Sequence, residues 1–206
     1  MRTRKLEIKV CGLRAPDNLQ AVADLDVDMI GLIFHPDSPR FVSELSPSDL
    51  PVGVRRVGVF VDAPMDDVLL KVHRYGLDYV QLHGHESPGT CAALNGFIPV
   101  IKAFRVDAEF DFAVTDPYTT CVERFLFDTK GAQPGGNGQR FDWSLLDRYT
   151  GGVDFMLSGG IRPGDAADIA ALAHPRLVGI DLNSGFEAAP ALKSIPALSE
   201  FIQHIP

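Results

Sequence analysis

Phe125-Leu126-Phe127-Asp128-Thr129-Lys130 is a short apolar run that ends abruptly in a carboxylate, a hydroxyl and an ammonium. Seven further runs occupy Glu7–Cys11, Met29–Phe34, Val57–Val61, Tyr79–His83, Pro99–Phe104, Asp154–Ser158 and Val178–Leu182, several closing in glycine or polar clusters. Short strands at even spacing, each leaving room for a crossover to the next, form the pattern of a closed β/α barrel. The 206 residues allow about 26 per strand, helix and two loops, so the expectation is one compact (β/α)8 (TIM) barrel domain spanning residues 1–206. Its helices must be short. The carboxyl ends of barrel strands floor the active site, so a chemically odd residue at a run's end reads as catalytic. The odd ends are Cys11, Gln81 with His83, Asp128 with Lys130, Gly159-Gly160, and Asn183-Ser184-Gly185.

Composition narrows the class. With 46% hydrophobic and 22% charged residues the chain is ordinary globular material. A net charge of −8 argues against nucleic acid or an anionic membrane as partner, since both need a basic face. A local anion site built from backbone N–H groups and one arginine remains compatible with that charge. No stretch approaches a membrane span and Met1–Lys9 is too short and charged for a signal peptide, so a cytoplasmic location is expected. Cys11, Cys91 and Cys121 fit a reducing compartment better than a disulfide framework.

Ala15-Pro16-Asp17, Ala63-Pro64 and Arg162-Pro163-Gly164-Asp165 each open an amphipathic stripe, read as a helix packed on the barrel. A helical segment over Asp107 to Val114 is cut short by Asp116-Pro117-Tyr118, which predicts a short or irregular fifth helix. The glycine-rich Gly131–Gly138 stretch reads as a mobile active-site loop or as a plain surface connection.

Cys11, in Lys9-Val10-Cys11-Gly12-Leu13, is either a small buried hydrophobe or a general base; the second requires its pKa to fall toward neutrality. Gly12 lets the chain turn sharply beside it. Asp128 is either a cap or partner of Lys130, or a carboxyl at the open end of its strand. The first and sixth strands of an eightfold barrel lie across the mouth from one another, so Cys11 and Asp128 can flank one substrate, as acid–base isomerisation needs. Ser158-Gly159-Gly160-Ile161 and Asp181-Leu182-Asn183-Ser184-Gly185 end strands seven and eight, where such barrels commonly bind phosphate. The expected ligand is therefore a phosphorylated small molecule.

His83 and His85 alternate in a way compatible with zinc, but no third ligand presents itself, and Gln81 and His83 read as polar strand ends touching substrate. Arg40 follows Pro36 and Pro39 in a stiffened loop and is either surface charge or a carboxylate contact.

Taken together, Lys-Val-Cys-Gly-Leu at 9–13, Phe-His-Pro-Asp-Ser-Pro-Arg at 34–40, Val-Gln-Leu-His-Gly at 80–84, Asp128 with the following glycine loop and Phe141-Asp142-Trp143, Ser-Gly-Gly-Ile at 158–161 and Asp-Leu-Asn-Ser-Gly-Phe-Glu at 181–187 resemble the phosphoribosylanthranilate isomerase family of tryptophan biosynthesis. The resemblance implies a cofactor-free Amadori rearrangement. It casts Asp128 as the general acid at the ring oxygen and Cys11 as the general base at carbon 2. It assigns Arg40 to the anthranilate carboxylate, Gly160, Asn183 and Ser184 to the phosphate, and Asp181 to the pocket wall. Two positions depart from the commonest pattern: Asn183 stands where serine is frequent, and Arg14 where threonine is often seen. Sugar isomerases of histidine biosynthesis resemble a pair of aspartates across the mouth, so Cys11 favours the tryptophan branch. A metal-dependent phosphosugar epimerase or hydrolase using His83 and His85, and a non-catalytic phosphosugar-binding barrel, are the alternative readings. The expected assembly is a monomer or homodimer.

Overall fold

The structure, a computed structural model, describes residues 6–129 and 142–205. Lys130, the Gly131–Gly138 loop and Phe141 lie outside the described residues.

Eight parallel strands close in sequence order: β1 (Glu7–Cys11), β2 (Met29–Ile33), β3 (Arg55–Phe60), β4 (Tyr79–Leu82), β5 (Val100–Val106), β6 (Arg124–Thr129), β7 (Phe155–Leu157) and β8 (Leu177–Leu182), with β8 pairing back onto β1. Each matches one expected run within a few residues. Sequential parallel pairing with both faces covered explains why the runs are nearly continuously apolar; all of Met29–Ile33 is buried.

Five α-helices surround the ring: α1 (Pro16–Ala23), α2 (Met65–Tyr75), α3 (Pro88–Asn95), α4 (Ala166–Ala171) and α5 (Ile195–Ile202). The first starts on Pro16, where a missing N–H costs nothing, and buries Leu19 and Val22. The second ends where Gly76 turns left-handed, φ 56°. Helix α3 is capped by the Ser87 hydroxyl, which accepts from the Thr90 N–H. Among the described residues three crossovers show no α-helix. After β2, Pro36, Pro39, Pro47 and Pro51 leave only a 3-10 turn at Pro47–Asp49. After β5 the irregular helix is a 3-10 run, Phe112–Tyr118, later in the chain than the expected Asp107–Val114 segment and passing through Pro117. Pro117 does not break it, because i→i+3 turns form singly and the ring removes only one donor. After β6 the crossover carries a 3-10 run at Trp143–Arg148. Beyond β8, β9 (Glu187–Ala189) and β10 (Leu192–Lys193) form a small antiparallel hairpin, not expected from sequence.

The two faces of the ring have different chemistry. Ile8, Val10, Phe125 and Phe127 point outward into the apolar layer beneath the helices. Inside, Met29, Val57, Ile101, Leu126 and Met156 fill the barrel. Its lower end is closed by Glu7, which accepts from Arg55 Nη2 (2.8 Å) and from Arg124, while both guanidinium groups sit over the Tyr79 ring. No helix among the described residues is long and apolar enough to cross a membrane.

Phe127 is fully buried among the rings of Phe112, Tyr149 and Phe155, at 5.2, 5.3 and 4.9 Å between centroids. Phe127→Ala should cost about 3–5 kcal/mol, read as a lower urea midpoint with unchanged slope. A loss under about 1 kcal/mol would contradict the packing described.

Candidate active site

Strand alternation decides which side chains meet. In β6 the outward Phe125 and Phe127 flank the inward Leu126, so Asp128 is inward too and stands at the open end. In β1 the outward Ile8 and Val10 leave Lys9 and Cys11 facing the interior. Cys11 and Asp128 line one cavity, together with Gln81, His83, Gly159, Gly160, Asp181, Asn183, Ser184 and Gly185. His35, Ser38 and Thr129, which sequence reading did not single out, line it as well.

Glycines make the room. Cys11 pairs with Gly31 of β2, and a Cβ there would lie 2.6 Å from the sulfur, so the thiol occupies space only glycine leaves open. Gly12 turns with φ 77°, and its N–H donates to Gly31 O at 3.0 Å. Gly159 has φ 85°; a Cβ on it would come within 2.3 Å of Thr129 N and 2.6 Å of Asp128 Oδ1. The two C-terminal loops pack equally closely, since a Cβ on Gly185 would lie 2.0 Å from Ile161 O.

Asp128 is 7% exposed. Its Oδ1 accepts from the Thr129 N–H (3.0 Å) and its Oδ2 lies 3.2 Å from His83 Nε2. Gln81 Nε2 donates to His83 Nδ1 at 3.1 Å, which leaves the histidine proton on Nε2, directed at the carboxylate. The Gln81 amide oxygen is buried with no hydrogen-bond partner among the described residues. The loop after β4 is held from below by Lys102, whose ammonium donates to Gly84 O and Glu86 Oε2, both at 2.8 Å.

Cys11 is 3% exposed, and burial pushes its thiol up, against the fall that a resting thiolate requires. Lys9 opposes that rise and Asp181 adds to it. Lys9 Nζ and Asp181 Oδ1 meet at 2.9 Å, both side chains buried. Burial alone would discharge Lys9, but the Asp181 carboxylate outweighs it and holds the ammonium above its ordinary value.

Arg40 is placed differently from its expectation. The proline-stiffened loop does reach the mouth through His35 and Ser38. The guanidinium itself is buried behind the wall, with Nε and Nη2 donating to Glu187 Oε1 and Oε2 at 2.8 and 2.7 Å. Lys193 Nζ donates to the same Glu187 Oε1 and to Asn183 Oδ1, both at 2.7 Å. The β9–β10 hairpin, whose turn carries Ala191 at φ 65°, brings Lys193 there. Asn183 thus binds Lys193 through its side-chain oxygen and still lines the cavity. Arg14 is exposed.

The two histidines of the zinc reading diverge. His83 faces Asp128, whereas the exposed His85 pairs with Asp62 (2.9 Å), and no group of three His, Cys, Asp or Glu among the described residues could hold a metal.

Sequence reading missed Lys9, Glu187 and Lys193. The signal for Lys9 was its place two residues before Cys11, on the same strand face. Glu187 and Lys193 gave no comparable local signal.

The chain matches the family described as N-(5'phosphoribosyl)anthranilate (PRA) isomerase over residues 8–204. It is 48% identical over 205 residues to the N-(5'-phosphoribosyl)anthranilate isomerase of Parabacteroides distasonis, covering 96% of this chain and 92% of that one. A phosphoribosyl anthranilate isomerase structure from Thermus thermophilus superimposes with a TM-score of 0.86 at 29% identity, covering 97% and 98% of the chains. A related isomerase crystallised with reduced 1-(o-carboxyphenylamino)-1-deoxyribulose 5-phosphate matches with a TM-score of 0.79 at 31% identity, covering 97% of each chain.

Glu187 tests the buried cluster. Its burial raises the carboxyl, but hydrogen bonds and charge from Arg40 and Lys193 win and hold it below the ordinary glutamate value. A depressed carboxyl stabilises the fold fully above its unfolded pKa, and that contribution disappears as pH falls through the folded value. Glu187→Gln should therefore cost about 3 kcal/mol at neutral pH by urea unfolding, and the gap should narrow as pH falls through and below the ordinary glutamate range. A gap that stayed constant across that range would contradict the ion-pair account.

Proposed function

The chain belongs to the N-(5'-phosphoribosyl)anthranilate isomerase family, and we propose that Asp128 and Cys11 are the acid and base of its reaction. That reaction, in tryptophan biosynthesis, isomerises N-(5'-phosphoribosyl)anthranilate. The observation that carries the assignment is the shared cavity: a carboxyl from β6 and a thiol from β1 face one space whose far corner is built from Gly160, Ser184 and Gly185.

In the proposed sequence, Asp128 gives its proton to the ribose ring oxygen as the nitrogen lone pair opens the C1–O bond, leaving a protonated Schiff base. The Cys11 thiolate takes the proton from C2, and those electrons form the C1=C2 bond of an enolamine while neutralising the nitrogen. Tautomerisation moves a proton to C1 and leaves a ketone at C2. One turnover thus consumes a proton at Asp128 and gains one at Cys11, and exchange with solvent restores both. The site needs its single proton on the carboxyl rather than on the sulfur.

The phosphate is assigned to the loops after β7 and β8, where left-handed Gly159 and Gly160 face the cavity beside the Ser184 turn. Gln81 and His83 serve twice. They orient Asp128, and the unpartnered Gln81 oxygen supplies an acceptor for a sugar hydroxyl. The anthranilate carboxylate is assigned to the side of the mouth formed by the loop after β2, where His35 and Ser38 line the cavity and Arg40, bound to Glu187, anchors that loop from behind. A cytoplasmic site of action accords with the reducing environment that Cys11 needs.

Cys11→Ala and Asp128→Asn should each lower kcat/KM by about 10²–10⁴-fold, followed as loss of anthranilate fluorescence from freshly generated substrate, with unchanged circular dichroism. Near-normal turnover in either folded variant would falsify the assignment of that residue.

A further inference from the structure

The barrel interior is apolar around Met29, Val57, Leu126 and Met156, yet β1 places Lys9 at the same depth, beside Met29 on one side and Asp181 on the other. Lys9 is 0% exposed. Burying an ammonium and a carboxylate together is weak as a stability device, because apolar residues of similar volume commonly hold a fold as well or better. An ammonium has three donors, and Asp181 takes one of them at 2.9 Å. The next inward side chain along the strand is Cys11, whose sulfur leans over Gly31 at the top of the same column.

We propose that Lys9 is a positioning residue for the base: its ammonium, kept in place below Cys11 by Asp181, stabilises the thiolate that removes the C2 proton. This rests on the assignment of Cys11 as base. The charged groups that act on the thiol are Lys9 on β1, Asp181 on β8 and Lys193 on β10, with Arg40 from the loop after β2 acting from behind the wall. Glu187 stands behind the last two, and Asp128 and His83 lie across the cavity. Among these groups Lys9 opposes the burial of the thiol most strongly, and Asp181 works the other way.

That opposition gives the test a sign that structural damage cannot mimic. In Lys9→Met, the acid limb of the pH profile of kcat/KM should move up by about one unit, a loss of about tenfold on that limb. In Asp181→Asn, the thiolate becomes the ammonium's remaining partner. The limb should then move down, and alkylation of Cys11 by iodoacetamide at pH 7, followed on the Cys11 peptide, should be several-fold faster. Both limbs moving the same way, or neither moving, overturns the proposal. Should Lys9→Met not fold, alkylation of Asp181→Asn decides alone, and a rate unchanged or slower than wild type overturns it. Alkylation needs no turnover, so it separates this proposal from the base assignment, which fails instead if Cys11→Ala keeps normal activity.

Discussion

The pairing of the last barrel strand with the first is the constraint on which the rest depends. Glu7, Ile8, Lys9 and Val10 lie beside Gly179, Ile180, Asp181 and Leu182. Side chains alternate with period two, so a slip of one residue would turn Lys9 and Cys11 into the apolar outer layer and bring Ile8 and Val10 into the cavity. The buried Lys9–Asp181 pair stands at this seam, and a slip would part an ammonium from its carboxylate partner in a dry interior. The same closure brings β6 within three strands of β1 around the ring, through β7 and β8, which is why a thiol and a carboxyl more than a hundred residues apart share one space.

Above that seam the site is shaped as much by missing side chains as by present ones. Gly31 leaves space for the sulfur, Gly159 lets the loop after β7 approach Asp128, and Gly185 lets the two C-terminal loops touch. Charged groups fill what remains in linked sets. Lys9 with Asp181 lies under the thiol, Gln81 with His83 steers the carboxyl, and Glu187 joins Arg40 to Lys193 behind the wall. Each set ties a strand end to a different stretch of chain, so the positions of the reactive groups follow from packing that lies outside the cavity. Preorganisation of this kind is what acid–base chemistry on a flexible sugar requires.

The strands were legible because each is a local run whose ends are marked by a change in polarity, as in Phe125–Asp128. Cys11, Asp128 and the glycine clusters were legible for the same reason: each stands at the end of such a run. Crossovers were less so. Prolines at 36, 39, 47 and 51 forbid a helix without saying what replaces it, and α3 and α5 depend on apolar stripes too short to stand out. The zinc reading of His83 and His85 came from spacing alone, and the fold separates them because alternate residues beyond a strand end need not keep facing one way.

By itself the sequence determined the eightfold rhythm, the residues at the strand ends and the reaction family, since each is carried by short-range pattern and residue type. Only the tertiary structure decided the electrostatic partners. Arg40 met Glu187 across 147 residues and Lys9 met Asp181 across 172, and no local pattern encodes a pairing at that separation. Whether a buried charge is tolerated, and what it does to a neighbouring thiol, follows from the low dielectric and the distances that closing the barrel creates.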